Sequence, residues 1–207
     1  MKSTIVVSVV MLTACLPSAA PLPGVLAPNR SLPALYLPAG HRQVTFRWDF
    51  QEGDLAARGD GAVRTAAPDS ARLDLFLGGG LGAGAAILIG DSLRTPHADL
   101  ARRYIPPAPM MWAALNRLAI PALPDTVIKL DGDLLRADVG RPVQWRVAIR
   151  GDTLVSLERI NDGKIVDRLT RNANGAVVYE SPGARRKLEL TILKEQTGSF
   201  DASIWSL

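Results

Sequence analysis

The sequence contains a single cysteine, Cys15, and only two histidines, His41 and His97, among its 207 residues. One thiol cannot close an intramolecular disulfide, and so few soft ligands cannot build a thiolate or histidine-rich metal centre. We therefore expect a fold that is held together without disulfides, without a metal ion and without another cofactor.

Long apolar runs and clusters of like charge are also missing. The apolar stretch at residues 5–12 is interrupted by Ser8, and it is far shorter than the roughly 20 residues that a membrane-spanning helix requires. The 24 basic residues only slightly exceed the 20 acidic ones and are scattered along the chain, whereas nucleic-acid binding needs a basic stripe. The sequence thus predicts neither a transmembrane helix nor a nucleic-acid partner.

The N-terminus has the pattern of a secretory signal. Lys2 precedes the short apolar stretch, and residues 12–15 read Leu-Thr-Ala-Cys, with small residues where a signal peptide is cleaved. This tetrapeptide resembles the lipobox of bacterial lipoproteins. The resemblance implies that residues 1–14 are a signal peptide and that Cys15 is the lipid attachment site, with a diacylglycerol on its sulfur and a further acyl chain such as palmitate on its amine. An ordinary signal peptide followed by an incidental cysteine is the alternative.

The residue after Cys15 bears on location. Leu16 stands there, and in sorted lipoproteins a residue other than aspartate at this position favours the outer membrane. The resemblance therefore implies a bacterial outer-membrane protein that is lipid-anchored, faces the periplasm and has the membrane as its first partner.

Proline marks the next segment, residues 15–40. It occurs there as Pro17, Pro21, Pro23, Pro28, Pro33 and Pro38. Such a density favours extended chain with a rise of about 3.1 Å per residue, so the segment is predicted to be a tether between the lipid and the domain. Residues 32–37 are apolar enough to lie against the domain instead. Residues 41–207 are expected to fold as one monomeric domain.

After residue 40 the sequence alternates between apolar and polar residues, which is typical of half-buried strands. The clearest apolar series are Val44, Phe46, Trp48 and Phe50; Leu73, Leu75 and Leu77; Val143, Trp145, Val147 and Ile149; and Leu188, Leu190 and Ile192. Turn dipeptides lie between them at Gly90-Asp91, Asp131-Gly132, Gly151-Asp152, Asp162-Gly163 and Asn174-Gly175. This spacing predicts one large, mostly antiparallel sheet.

Two short helices are predicted in the middle of the chain, at residues 99–104 and 110–118. In the second, Met111, Leu115 and Leu118 fall on one stripe. An antiparallel sheet with one apolar face needs a cover, and these helices are the candidates. The predicted class is mainly β with two short helices (α+β).

One motif favours an enzyme. Gly90-Asp91-Ser92-Leu93 resembles the nucleophile block of GDSL esterases, in which the serine attacks an ester. That family needs a histidine base near the C-terminus, but no histidine follows His97, so the triad cannot be assembled. A hairpin turn explains the tetrapeptide equally well. Gly80-x-Gly82-x-x-Ala85 matches the dinucleotide fingerprint only superficially, because no helix is predicted to begin there. We expect no catalytic residues.

The glycine-rich stretch at residues 78–84 carries one large apolar side chain, Leu81. So many glycines make a loop rather than a strand. Leu81 either folds back onto the core or forms an exposed apolar tip that contacts a membrane or a partner.

The order of these features resembles the LolA/LolB lipoprotein-localisation superfamily, and most closely its outer-membrane receptors, the LolB proteins. The residues that carry the resemblance are the lipobox, Phe46 and Trp48, Leu81-Gly82, Trp112 and Leu115, Lys187 to Leu190, and Ile204-Trp205. The resemblance implies a large antiparallel sheet curved into an incomplete β-barrel, a half-barrel covered by helices. Its apolar cavity would bind acyl chains of lipoproteins or other lipids, which a LolA-type periplasmic carrier delivers.

Carried onto this chain, the family assigns Leu81 to the membrane or partner loop. It assigns Met110, Met111, Trp112, Leu115 and Leu118 to the cavity and its lid; plain core packing is the alternative for each. The loop here has glycine where LolB proteins have a proline before Leu-Gly, which loosens the match. The alternative function is that of a structural or hydrophobic-ligand-binding envelope lipoprotein, and a GDSL-type esterase is the third candidate.

Overall fold

The computed structural model describes residues 16–78, 83–96 and 104–206. Within these ranges the strands are β1 (Val25–Leu26), β2 (His41–Glu52), β3 (Leu55–Ala66), β4 (Ser70–Leu77), β5 (Ala83–Ile89), β6 (Ser92–Arg94), β7 (Thr126–Asp131), β8 (Leu134–Val139), β9 (Trp145–Arg150), β10 (Thr153–Asn161), β11 (Lys164–Arg171), β12 (Val177–Ser181) and β13 (Arg186–Thr197). The helices are α1 (Ala108–Ala114) and two 3-10 helices, Pro182–Ala184 and Ala202–Trp205.

All thirteen strands belong to one sheet with the order β1-β7-β8-β9-β10-β11-β12-β13-β2-β3-β4-β5-β6. Each neighbouring pair is antiparallel, and β1 and β6 form the two open edges, so the sheet is not closed into a barrel. The prediction of a mainly β fold built on one large antiparallel sheet is confirmed. The paired turn at Gly90-Asp91, between β5 and β6, is one of the predicted hairpins.

The prediction for the second covering helix is wrong in its bounds, and the first predicted helix is not tested. The described ranges contain one α-helix, α1, and the helix predicted at residues 99–104 falls almost entirely on residues 97–103, which lie outside them. The helix predicted at residues 110–118 ends earlier, at Ala114. It ends there because Asn116 adopts a left-handed φ of 63°, and its side chain bonds the backbone of Asp152 and Leu154 instead.

Alternation along the strands gives the sheet one covered face and one outer face. In β2, Phe46, Trp48 and Phe50 are buried on the covered face while Arg47 and Asp49 are exposed on the outer one. Antiparallel pairing adds apolar residues of β13 to the same side: Ile192 lies opposite Phe46, Leu190 opposite Trp48 and Leu188 opposite Phe50. Helix α1 and the segments beside it cover this face and complete the core.

The outer face carries a row of opposite charges that crosses six neighbouring strands from β8 to β13. Its members, each directly opposite the next, are Asp138, Arg146, Glu158, Arg168, Glu180 and Lys187. Arg146 and Asp138 are 2.7 Å apart, and so are Arg168 and Glu158. Directly opposed unlike charges stabilise strand pairing by about 0.2–1 kcal/mol each, so the row helps to fix the register.

The proline-rich segment lies against the sheet over much of its described length. Pro17 accepts a hydrogen bond of 2.9 Å from the backbone of Ile165, and Leu22 accepts one of 2.8 Å from Lys129. Further along, Leu35 is buried in the core and accepts a bond of 3.0 Å from the Leu118 backbone. The described part of this segment therefore contacts the domain at several points along residues 17–35, while Cys15 lies outside the described residues.

Within the described ranges, no helix has the length and apolar character needed to cross a membrane.

Candidate functional site

An apolar cleft lies between the covered face of the sheet and the chain around α1. The strands contribute Val44, Phe46, Val63, Leu73, Leu75, Val177, Leu188, Leu190 and Ile192, and the cover contributes Tyr104, Pro106, Met111, Ala114 and Leu115. None of these lining side chains carries a charge. The cleft is therefore suited to hydrocarbon and offers nothing that would hold an ion.

Strand register explains why so many apolar side chains converge here. Val44, Val63 and Leu73 are direct neighbours across β2, β3 and β4, so they form one apolar row on the covered face. The next row contains Phe46, with Gly61 opposite it. A Cβ atom at Gly61 would lie 2.5 Å from the Phe46 ring; glycine is needed there because the ring occupies the space that a side chain would take.

The cleft is narrow in this conformation, with a volume of about 70 Å³. An apolar cavity of about 150 Å³ in a protein core holds a benzene-sized molecule. The present cleft has about half that volume, so a larger guest would need lining side chains such as Met111 and Leu115 to move. Methionine repacks at low energetic cost because its side chain is unbranched and flexible.

Helix α1 is held over the cleft by side-chain contacts in its C-terminal half. The indole of Trp112 donates a hydrogen bond of 2.7 Å to the Gly90 carbonyl in the β5–β6 turn. The guanidinium of Arg117 lies 4.4 Å from the centre of the same indole, a distance typical of a cation–π contact. Past its first turn, α1 is therefore tied to the sheet edge through one aromatic side chain.

Arg171 of β11 holds the last residues of α1. It donates hydrogen bonds of 3.0 Å to the Ala114 carbonyl and 3.4 Å to the Ala113 carbonyl. These carbonyls are among the groups that a helix leaves unsatisfied at its C-terminus. Burial lowers the pKa of the Arg171 guanidinium from its usual value, since the charge is partly removed from water.

The structure separates the lid residues that the sequence analysis grouped together. Met111 and Leu115 line the cleft, whereas Met110 and Trp112 are both fully buried in the core. Leu118 is half-buried and packs against that core. Cys15 and Leu81 both lie outside the described residues.

Most of the cleft wall comes from residues that sequence reasoning did not assign to a site. The period-2 pattern marked several of them as buried, but it could not show which strands are neighbours. Ala114 could not be predicted as a cleft residue, because a small residue in a helix occurs both at clefts and in packed cores. Strand register, which depends on the whole fold, brings these residues together.

Ser92, the serine of the esterase motif, lies at the start of β6 and is exposed. His41 lies in the same cross-strand row as Ser92. The residues between them in that row are Ala66, Ser70 and Ile89. Four strand spacings separate the two, which is about 19 Å, so His41 cannot serve Ser92 as a base. His97 lies outside the described residues. The turn interpretation of the tetrapeptide is confirmed.

No group of three potential metal ligands occurs within the parts of the chain that the structure describes.

Comparisons with known proteins give a fold but no sequence family. No protein-family model matches the chain, and no curated protein does so either.

Among solved structures, a LolA superfamily protein from Nitrosomonas europaea matches with a TM-score of 0.53 at 10% identity, over 84% of this chain and 93% of that one. A DUF1329 family protein from Desulfovibrio piger has a TM-score of 0.44 at 9% identity, over 81% and 90% of the two chains. A domain proposed to belong to an outer membrane lipoprotein-sorting protein of Vibrio parahaemolyticus has a TM-score of 0.45 at 7% identity, over 80% and 89%. The chain thus has a fold similar to that of the LolA superfamily protein.

Proposed function

We propose that this protein is a lipid-anchored envelope protein that binds acyl chains of lipoproteins or other lipids in the cleft beneath α1, without catalysis. The observation that carries the proposal is the chemistry of the cleft wall: fourteen lining residues, open to solvent, without a charged side chain. The fold likeness to a LolA superfamily protein supports it.

Binding in this cleft would be driven by burial of hydrocarbon. Each methylene that leaves water contributes about 0.8 kcal/mol, and this gain offsets the cost of displacing the side chains of Met111 and Leu115. The acyl chain could then pass from a carrier to the cleft and on to the bilayer by differences in burial alone. No bond is made or broken, and no cofactor is required.

Within this proposal, the protein acts as a LolB-like receptor at the outer membrane. Acylation of Cys15 would fix the protein to the periplasmic face of that membrane, since multiple acyl chains give stable anchoring where one does not. A LolA-type carrier would then deliver lipoproteins. The lipobox and the residue Leu16 support this arrangement.

The small cleft volume favours a second candidate, a structural lipoprotein with a closed core. At about 70 Å³ the space does not hold a whole acyl chain. In this alternative, Met111 and Leu115 are simply core residues and the cleft never opens.

Binding to a chain that begins at residue 16 separates the two candidates, because every contact described above lies within residues 16–206. The chain is purified, extracted for lipid, and titrated with a fluorescent fatty acid and with a lipopeptide loaded on a carrier. Ala114→Trp fills the cleft, and Ala56→Trp places the same side chain on the exposed outer face of β3 as the matched control.

We expect binding by the parent chain and by the Ala56 variant, and at least about a tenfold loss in the Ala114 variant. Absence of retained lipid and of binding to either ligand would favour the closed-core candidate. Equal binding by both tryptophan variants would place the site elsewhere on the molecule.

A further inference from the structure

A cation lies directly behind the wall of the apolar cleft. Arg171 of β11 is opposite Val177 of β12 in the sheet, and Val177 lines the cleft. Directly opposed residues of antiparallel strands share a face, so the Arg171 side chain is on the covered face. Its guanidinium donates hydrogen bonds to the carbonyls of Ala113 and Ala114, and Ala114 lines the cleft from the lid. Arg171 is thus joined to the cleft wall on both sides, although the lining itself carries no charge.

Arg171 has no carboxylate partner. In the described parts of the chain it forms no ion pair, and burial is the one cause of its lowered pKa. Two other arginines of the same strands, Arg159 and Arg168, are paired with Asp167 and Glu158. A partly buried cation is stabilised by an anion at hydrogen-bonding distance, and Arg171 has that capacity unused.

One edge of the Arg171 guanidinium is only partly engaged. Its Nη2 atom donates both helix bonds, whereas its Nε atom is buried and has no hydrogen-bond partner within the described residues. Nε and Nη2 lie on the same edge of the planar group, and such an edge binds a carboxylate through two parallel hydrogen bonds. Since buried donors are rarely left without a partner, this edge is suited to a second acceptor.

Two other arginines also have a buried nitrogen without a partner, but their surroundings differ. Arg42 is paired with Glu195 at 2.6 Å, so its charge is already neutralised. The Arg117 guanidinium lies 4.4 Å from the centre of the Trp112 ring, which is buried in the core. Of the three, Arg171 combines a charge that lacks an acidic partner with hydrogen bonds to a residue of the cleft wall.

We infer that Arg171 binds the carboxylate of a free fatty acid whose acyl chain lies in the cleft. The inference rests on the proposed function and narrows its ligands. Acyl chains that are linked to a lipoprotein as esters or amides have no such charge, so Arg171 would distinguish free fatty acids from them.

The carboxylate would take the place of the lid at Arg171. The carbonyls that accept from Nη2 belong to α1, so outward movement of α1 frees that edge of the guanidinium. The carboxylate then accepts from Nη2 and Nε, and hydrogen bonds between two charged groups are about twice as strong as those between neutral groups. The gain offsets the loss of the helix bonds, while the acyl chain occupies the space between Ala114 and Val177.

Competitive displacement on the unacylated chain that begins at residue 16 measures whether the head group matters. The fluorescent dye N-phenyl-naphthylamine is bound first and then displaced by decanoate or by decanol, which have the same chain length and differ in charge. Arg171→Met removes the guanidinium and keeps much of the apolar side chain. The matched control is Arg47→Met, which removes the same charge from the exposed outer face of β2.

The parent chain should bind decanoate at least about tenfold more tightly than decanol, the change expected for one hydrogen bond between charged groups. Arg171→Met should lose this preference, and decanol should bind to it at least as tightly as to the parent chain because the lid is looser. The Arg47 variant should keep the preference. A merely structural role of Arg171 would change the affinities for both ligands alike, and that result would overturn the inference.

The remaining outcomes separate this inference from the proposed function. Equal binding of decanoate and decanol by the parent chain would overturn the carboxylate site and leave acyl-chain binding in the cleft standing. A preference for decanoate that persists in Arg171→Met would do the same. Failure of both ligands to bind would overturn the proposed function and this inference together.

The Nε–H resonance of Arg171 gives a second measurement on the parent chain, which decides even if Arg171→Met fails to fold. The resonance is assigned by its absence from the spectrum of Arg171→Lys. Saturation with decanoate should shift it, because Nε–H gains a charged acceptor, whereas decanol should shift it far less. An unchanged resonance at saturation with decanoate would overturn the inference.

Discussion

The Arg171 guanidinium donates a hydrogen bond of 3.0 Å to the carbonyl oxygen of Ala114, the last residue of α1. This contact joins the floor of the sheet to the lid over the cleft. It also places a partly desolvated charge beside an apolar site, which is stable only while the helix carbonyls accept its hydrogen bonds. Displacement of α1 by a ligand would break these bonds, so Arg171 resists opening of the lid.

Arg171→Met should therefore loosen the lid. Methionine retains most of the apolar contact but leaves the Ala114 carbonyl without the Arg171 donor, which costs about 1–3 kcal/mol for a buried group. The Ala113 carbonyl keeps its bond of 3.0 Å from the Asn116 amide. We expect a lower urea midpoint and faster hydrogen exchange at the Leu115 and Arg117 amides, which bond back to α1. Arg171→Lys is the control, since lysine keeps a hydrogen-bond donor. Unchanged hydrogen exchange in the methionine variant would contradict the conclusion that Arg171 holds α1 in place.

Asn116 ends the helix, and its replacement separates backbone strain from hydrogen bonding. Its side chain donates to the Asp152 carbonyl at 2.9 Å and accepts from the Leu154 amide at 2.7 Å, while its backbone is left-handed. Asn116→Ala loses both bonds and adds strain of about 1 kcal/mol, for a total of about 2–4 kcal/mol.

Asn116→Gly is the matched variant, because it loses the same bonds but takes the left-handed backbone without strain. Its free energy of unfolding should fall by about 1 kcal/mol less than that of the alanine variant. Denaturant unfolding of both proteins measures the difference. Equal destabilisation would mean that the conformation at residue 116 does not contribute.

The β2 strand and the end of α1 show which features could be predicted from the sequence and which could not. The alternation around Phe46 and Trp48 predicted the buried face of β2 correctly, because a period of two depends only on the local chain. The helix stripe ran on to Leu118 by the same local logic. It failed because the backbone of Asn116 is determined by Asp152 and Leu154, more than thirty residues away.

The site could be predicted only in part for a similar reason. Met111 and Leu115 were visible as a helical stripe, and both line the cleft. Met110 and Trp112 carried the same apolar signal but lie in the core, since hydropathy does not distinguish a cavity wall from packed interior.

From the environment of Tyr179 we expect the free energy of unfolding to decrease at alkaline pH. Its hydroxyl donates a hydrogen bond of 2.7 Å to the buried carboxylate of Asp167, and burial together with that carboxylate raises the pKa of Tyr179 well above its usual value of about 10. The folded state therefore keeps the phenol proton at pH values where the unfolded state has lost it. Stability contributed by this group is complete below about pH 10 and falls as the pH rises further, by up to about 1.4 kcal/mol per pH unit.

Tyr179→Phe should remove this dependence. At neutral pH it should be less stable by about 1–3 kcal/mol, because Asp167 loses one of its donors and keeps Arg159 at 2.7 Å. Urea unfolding of both proteins between pH 8 and about pH 11 gives the comparison, in which the titration of the other groups cancels. The gap between the two proteins should narrow as the pH rises above 10, and a constant gap would count against this account.

Alanine variants of Met111 and Met110 are a matched pair for testing the cleft, since the two residues are neighbours in the sequence but differ in what they contact. Met111 lines the cleft, whereas Met110 is fully buried in the core behind it. Truncation of either to alanine removes buried apolar atoms and should lower the free energy of unfolding by about 2–4 kcal/mol.

Only Met111→Ala should also enlarge the cleft, so its affinity for a fluorescent fatty acid should rise severalfold. Met110→Ala should lose stability without that gain, because Met110 does not line the cleft. Titration of both variants, with urea unfolding as the measure of stability, gives the two quantities on the same samples. A gain in affinity for both variants would mean that loosening of the core, and not the width of the cleft at Met111, controls entry of the acyl chain.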